Sequence, residues 1–219
     1  MFFYRPMKKE RKHIAVITAH PDDETLWTGG WILDNPDNDY FVASLCRCDD
    51  TDRAPKFKKA LQALGAEGAM GDMDDGPEQF PLPGEEVEWR ITQLLPTHTF
   101  DLVITHSIFG EYTRHRRHEE IGRGAIGLWQ SGRVKTKELW AFAFEDGGRT
   151  YYPQPLDDAS LTYNLPEPTW KKKYEIVTNV YGFAADSWEA QATPRAEAFR
   201  QFYNAPAAYN WLLSAQIPT

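Results

Sequence analysis

Short apolar runs of strand character alternate with helix-like segments through the first two thirds of the 219-residue chain. That order is the mark of repeated βαβ units, which commits the chain to a mainly parallel sheet flanked by helices. Strands are expected over 13–19, 40–45, 69–73, 101–106 and 138–144. Between them the pattern predicts helices through 26–33, over 55–64 closed by Gly65, over 85–95 stopped by Pro96, and over 116–130. Gly29 and Gly30 should let the first helix pack closely. Beyond Phe144 the prolines Pro153, Pro155, Pro166 and Pro168 break the pattern. There the reading is a small β-rich extension with β-prone pieces at 161–164 and 175–181. Pro194 and the spacing of Ala198, Phe199, Phe202 and Tyr203 then suggest a last amphipathic helix. The expected architecture is a Rossmann-like α/β fold of one domain, with a core over about 10–145 and the extension over about 146–219.

In such folds chemistry collects at the C-terminal ends of the strands. The run Ile14-Ala15-Val16-Ile17 leads into Ala19-His20-Pro21-Asp22-Asp23-Glu24, and Leu102-Val103-Ile104-Thr105 leads toward His115-Arg116-Arg117-His118. Imidazole and carboxylate suit a cation such as zinc, so His20 and Asp23 could each supply a ligand while Asp22 stays free to handle protons. Pro21 biases His20 toward an extended backbone and suits the first position of the following helix. Acidic residues also open helices for capping alone, and that is the plain alternative for Asp22 and Asp23. His115 and His118, three apart at a helix start, lie on nearly one face with about 5 to 6 Å between Cβ atoms. Their flanking Arg114, Arg116 and Arg117 would suit a solvated basic face.

Composition excludes several functions. With 24 Lys and Arg against 32 Asp and Glu the formal net charge is -8, which repels a phosphate backbone and argues against nucleic acid. The two cysteines, Cys46 and Cys48, are spaced too tightly within one strand end for an ordinary disulfide, and fit a reduced, cytoplasmic setting as buried or semi-buried thiols. The opening Met1-Phe2-Phe3-Tyr4-Arg5 lacks the apolar core of a secretory signal, and no window approaches the roughly 18 apolar residues of a membrane span. A homo-oligomer stays open.

The first motif, followed by Thr105-His106, Gly110-Glu111-Tyr112 and His115 to His118, resembles the PIG-L/LmbE-like zinc-dependent de-N-acetylase family. Arg53 with Ala60 and Leu64-Gly65 is similar to that family's helix carrying a substrate-facing Arg. The resemblance implies zinc held by His20, Asp23 and His118, with Asp22 as catalytic base and His115 stabilising the oxyanion. It further implies removal of an acetyl group from an N-acetylated amino sugar or glycoconjugate. The chain departs from the family at Arg116-Arg117, where Pro-Asp is usual, and at Lys56, where Glu is common.

Arg53 is the candidate to grip a substrate hydroxyl or anion, and Tyr112 and Glu111 could line the pocket. His106 reads as a core histidine that bonds the loop, and the tryptophans mostly as packing residues. The same three ligands would accept Fe2+. Two other readings remain: a metal-dependent hydrolase of a different amide or ester, and a non-catalytic α/β module that binds a sugar or nucleotide.

Overall fold

In a computed structural model of the protein, residues 10–113 and 115–215 are described; Arg114 and the opening Met1 to Arg5 lie outside them. Strand β1 (His13–Thr18) is buried along all but its first residue. Because strand side chains alternate, Ile14 and Val16 enter one core layer while Ala15 and Ile17 enter the other. Being buried on both faces is what makes parallel strands read as continuous apolar runs.

Helix α1 (Asp23–Asp34) follows β1, and then β2 (Asp39–Ser44), α2 (Arg53–Leu64), β3 (Glu67–Met70), α3 (Gly84–Leu94), β4 (Thr99–Thr105), α4 (Arg116–Gln130) and β5 (Lys135–Phe142). The five strands are parallel and ordered β3-β2-β1-β4-β5. The chain therefore steps outward from β1 in one direction and returns to build in the other. The reversal lies between β1 and β4, whose C-terminal ends open a crevice.

Beyond β5, the short strands β6 (Phe144–Glu145) and β7 (Gln154–Pro155) form a ribbon of their own. The remaining strands of the extension join the main sheet. Strands β8 (Leu161–Asn164) and β9 (Ala196–Phe202) continue the main sheet as its antiparallel side, in the order β5-β9-β8. Helix α5 (Glu167–Glu175) runs into a π-helical turn at Ile176–Val180, and α6 (Trp188–Ala192) precedes β9. Helix α7 (Ala205–Ser214) starts after Asn204, whose side chain accepts the Ala207 N–H at 2.9 Å. Helices α3, α4 and α7 pack on one face of the sheet, and α1, α2 and α5 on the other.

Three sequence expectations change here. Of residues 175–181, Glu175 closes α5 and Ile176–Val180 form the π-helical turn, because Ile176 and Val177 insert as core residues beside α1 and α2, and that packing overrides their β-branched preference. Ala198, Phe199 and Phe202 belong to β9, which pairs with β5 and β8; Ala198 and Phe199 enter one core layer and Phe202 the other, and their spacing mimics a helix face. Pro21 sits one residue before the cap of α1 rather than inside its first turn.

The C-terminal part also fixes the position of α1. Glu197 on β9 is fully buried, and its carboxylate accepts the N–H groups of Gly30 and Trp31 at 2.7 Å each. The equally buried Lys173 completes the arrangement, donating from Nζ to Glu197 Oε1 at 2.7 Å. A Cβ on Gly30 would meet Leu165 Cδ2 at 2.3 Å and Glu197 Oε1 at 3.0 Å, so a larger residue would displace Leu165 and crowd the carboxylate against this helix. Tyr181 adds a second tie, donating to Glu24 Oε1 at 2.7 Å.

Candidate metal centre

The turn after β1 carries the first three residues of the site. Asp22 caps α1 with φ 117° and ψ −31°, a backbone conformation L-residues avoid. Holding it costs about 1–3 kcal/mol, a burden found at functional sites more than elsewhere. Its side chain accepts no hydrogen bond from the helix; Glu24 Oε2 instead takes the Asp22 N–H at 3.1 Å. Capping therefore does not account for Asp22.

Asp23, one residue on, turns the other way. Its Oδ1 accepts the Trp27 indole N–H at 3.1 Å, and its Oδ2 accepts the His20 backbone N–H at 2.8 Å. That same Oδ2 lies 3.2 Å from His20 Nδ1 and 3.4 Å from His118 Nε2. The two ring nitrogens are themselves 3.2 Å apart. A tetrahedral ion with bonds of about 2.0 to 2.1 Å sets its ligand atoms roughly 3.3 Å apart. The triangle formed by His20, Asp23 and His118 has that size.

Each ligand candidate has a second polar neighbour behind it, a hydrogen bond for Asp23 and His118 and a close carboxylate for His20. His118 donates from Nδ1 to Glu111 Oε2 at 2.6 Å, which leaves its Nε2 lone pair facing the triangle. His20 places Nε2 3.2 Å from Asp75 Oδ1 and turns Nδ1 inward. Asp75 is held in turn by Arg47, whose Nε and Nη2 lie 2.9 and 2.7 Å from its Oδ2. His106 is buried behind the triangle: its Nε2 accepts the Ala19 N–H at 2.9 Å, so it has no lone pair to offer, and its Nδ1 donates to Glu111 at 2.8 Å. Helix α4 comes this close because position 122 is glycine; a Cβ there would lie 2.5 Å from the His106 carbonyl oxygen.

The electrostatics follow from this packing. Burial alone would raise the Asp23 carboxyl, but His118 and His106 hold it well below the ordinary range. Glu111 is opposed by burial in the same way, and the same two histidines bring it down to about 2. Asp22 goes the other way: burial, then the anionic Asp23 beside it, push it up, with Arg53 opposing. Three anionic or lone-pair donors meeting at one point, each braced behind, fit a divalent cation. Replacing Glu111 by Gln should weaken metal binding by about 10–100-fold, measured by competition with a chromophoric chelator.

The remaining predicted residues gather at the same place. His115 caps α4, with its ring centre 4.3 Å from that of His118 and 4.6 Å from that of His20. Burial, then His118 and His20, lower its pKa to about 3, so the imidazole is neutral. Arg117 does not face solvent as a basic surface. It is fully buried and points away from the site, bonding the Asp74 backbone and carboxylate, Glu120 and the Phe80 carbonyl. Arg53 donates from Nη1 to Asp22 Oδ2 at 2.6 Å, and its guanidinium lies 4.6 Å from the centre of the Phe183 ring. Lys56 instead pairs with Asp52 at 2.6 Å and takes no part in orienting Arg53. Tyr112 packs its ring 5.4 Å from His118 and 4.7 Å from Trp188. Asp22, Arg53, Tyr112 and His115 share a cavity of about 190 Å³ with Arg47, Trp188 and Glu189.

Asp75, Arg47 and Glu189 escaped the sequence reading, and Trp188, grouped there with the packing tryptophans, lines the cavity and is 39% exposed. The acidic cluster Asp72, Asp74 and Asp75 after β3 was the only local signal for Asp75, and nothing singled it out from its neighbours. Both thiols are free. Cys48 is exposed rather than semi-buried, whereas burial and Asp75 push the buried Cys46 thiol up, so it stays protonated and a poor ligand.

No protein-family model matches the chain. An uncharacterized protein of Acanthamoeba polyphaga mimivirus is 20% identical over 176 residues, 74% of this chain and 75% of that one. Among solved structures, the N,N'-diacetylchitobiose deacetylase of Pyrococcus horikoshii is similar with a TM-score of 0.65 and 17% identity, covering 89% of this chain and 85% of that one. A teicoplanin deacetylase in its zinc-inhibited form aligns with a TM-score of 0.60 at 12% identity, covering 86% and 97%. The 4-carboxy-2-hydroxymuconate hydratase GalB of Pseudomonas putida aligns with a TM-score of 0.61 at 14% identity, covering 88% and 96%.

Proposed function

We propose that this chain, which has the fold of the LmbE/PIG-L-type deacetylases, is a metal-dependent hydrolase that removes the acetyl group from an N-acetylated amino sugar or glycoconjugate. A fold that also serves a hydratase does not decide the reaction. The observation that carries the reading is the triangle of His20 Nδ1, Asp23 Oδ2 and His118 Nε2, with Asp22 beside it and free of capping duty. Those three side chains would hold the ion, Zn2+ or Fe2+, which when bound supplies Lewis-acid polarisation of water and carbonyl oxygen.

The chain's own groups account for the proton traffic. Asp22 is buried, and its pKa is raised even with Arg53 Nη1 2.6 Å from its Oδ2; in its ionised form it would accept a proton from the water that attacks the acetamide carbon. As the carbon–oxygen bond forms, charge gathers on the former carbonyl oxygen. His115, neutral and carrying one ring N–H, would donate to that oxygen. Its buried Nδ1 has no hydrogen-bond partner among the described residues, which leaves the ring free for this role. Asp22 then passes its proton to the departing nitrogen as the carbon–nitrogen bond breaks, leaving acetate and a free amine. Arg53 and Tyr112 line the approach and would position the sugar.

The test is metal analysis coupled to acetate release from N-acetylated glycosides. One divalent ion per chain and acetate equal to the new amine are expected. Stoichiometric metal with silence across the acetamides and turnover of another amide or ester would favour the rival hydrolase; an absence of bound metal would favour the binding module.

A further inference from the structure

The cavity beside the metal-binding triangle is small. At about 190 Å³ it falls short of the roughly 300–1,000 Å³ usual for small-molecule sites. A second cleft of about 550 Å³ adjoins it, and Tyr112 and Trp188 belong to the walls of both. The rest of that cleft is built by Tyr151 and Tyr152 with Arg149 and Thr150. Trp188, Tyr151 and Tyr152 are 39%, 42% and 46% exposed. Two distant segments thus leave large aromatic faces in water around one space.

The loop that presents the two tyrosines is anchored. Asp146 accepts the Thr113 N–H at 2.8 Å, the Thr113 hydroxyl and the Gly148 N–H at 3.1 Å, while Arg149 Nε donates to the Thr113 carbonyl at 3.1 Å. With its carboxylate so engaged, Asp146 offers no unpaired anion to attract a cationic occupant. The Tyr151, Thr150 and Thr113 hydroxyls are already bonded to Glu145, Gly147 and Asp146, so what remains is a set of aromatic faces with the Tyr112 and Tyr152 hydroxyls and the outer guanidinium nitrogens of Arg149 at the rim. That combination suits a neutral ring with apolar C–H faces and hydroxyl edges.

We propose that this cleft binds the second pyranose ring of a di- or oligosaccharide whose acetamido-bearing ring sits in the first cavity. The assignment of the first cavity rests on the deacetylase reading; binding in the second cleft does not. The test compares acetate release by the metal-loaded protein from N-acetylglucosamine, its β-linked disaccharide and its phenyl glycoside. It also titrates cellobiose, which has no acetamide, by tryptophan fluorescence.

We expect kcat/KM for the disaccharide to exceed that for the monosaccharide at least tenfold, and the double variant Tyr151→Ala, Tyr152→Ala to cut that ratio about tenfold. Cellobiose binding should weaken in the same variant. A ratio the variant leaves unchanged, with cellobiose binding absent or unaltered, overturns the proposal. So does a phenyl glycoside preferred over the disaccharide, which would assign the cleft to an aromatic group. Cellobiose binding that the variant loses, in a protein that hydrolyses no acetamide, sustains the cleft and removes the deacetylase reading.

Discussion

Replacing Asp22 by Ala lowers kcat by about a hundredfold to ten-thousandfold, the range a positioned proton-transfer group contributes, while the chain keeps its full complement of metal. The separation of the two effects follows from the geometry, since Asp22 stands outside the triangle that His20, Asp23 and His118 form. Activity and metal content lost together would instead make Asp22 a ligand. The pH profile carries the same information. Asp22 must be ionised to accept a proton, and burial with Asp23 raises its pKa. The acid limb of kcat/KM should therefore lie above the ordinary aspartate value of about 3.9, and Asp22→Ala should lack it.

Stability moves in the opposite direction. A carboxyl whose pKa rises on folding contributes its stabilisation below the unfolded value and loses it as pH climbs through the folded one. In metal-free protein Asp22→Asn should then raise the melting temperature, by more at high pH than at low. Asp22→Gly adds relief of the φ 117° backbone and should be dead in turnover yet harder to melt.

Lys173→Met destabilises the protein by about 3–5 kcal/mol, because it leaves Glu197 ionised and buried without its counter-charge. Chemical denaturation of the metal-free protein measures the loss. Lys173 and Glu197 are both fully buried, and the energetic balance of the intact pair is modest: burial lowers the lysine and raises the glutamate, each toward its neutral form. The severity comes from the single deletion. Because Glu197 also receives the Gly30 and Trp31 N–H groups, Lys173→Met should loosen α1 and weaken metal binding from a distance. Unchanged stability would mean that water reaches Glu197 and the pair is not closed off.

Much of this arrangement could be read from the residues in order. The parallel strands announced themselves because burial on both faces leaves unbroken apolar runs at Ile14-Ala15-Val16-Ile17 in β1 and Leu102-Val103-Ile104 in β4. His20, Asp22 and Asp23 stood out because three chemically distinct groups directly follow such a strand, and His115 with His118 because the spacing puts them on one helix face. Contacts made only by tertiary approach were hidden. Asp75 reaches His20 across the crevice from the loop after β3, and its acidic neighbours look the same in sequence. Arg117 sits beside His118 in the chain, yet the turn of α4 carries it to Asp74 and Phe80 on the far side. Strand β9 passed for a helix because three consecutive buried residues, Glu197, Ala198 and Phe199, followed by Phe202 hide the alternation and leave an i, i+3 apolar spacing.

The tie between β9 and α1 bears on how the protein can be divided. A fragment ending in the exposed turn at Gly148 would contain every side chain assigned to the ion and to proton transfer, but α1 would lose Glu197 and Tyr181, which grip it from the later chain. Severing the chain there should leave two pieces that are inert apart and recover turnover when mixed, which makes this boundary a natural cut site for a split reporter.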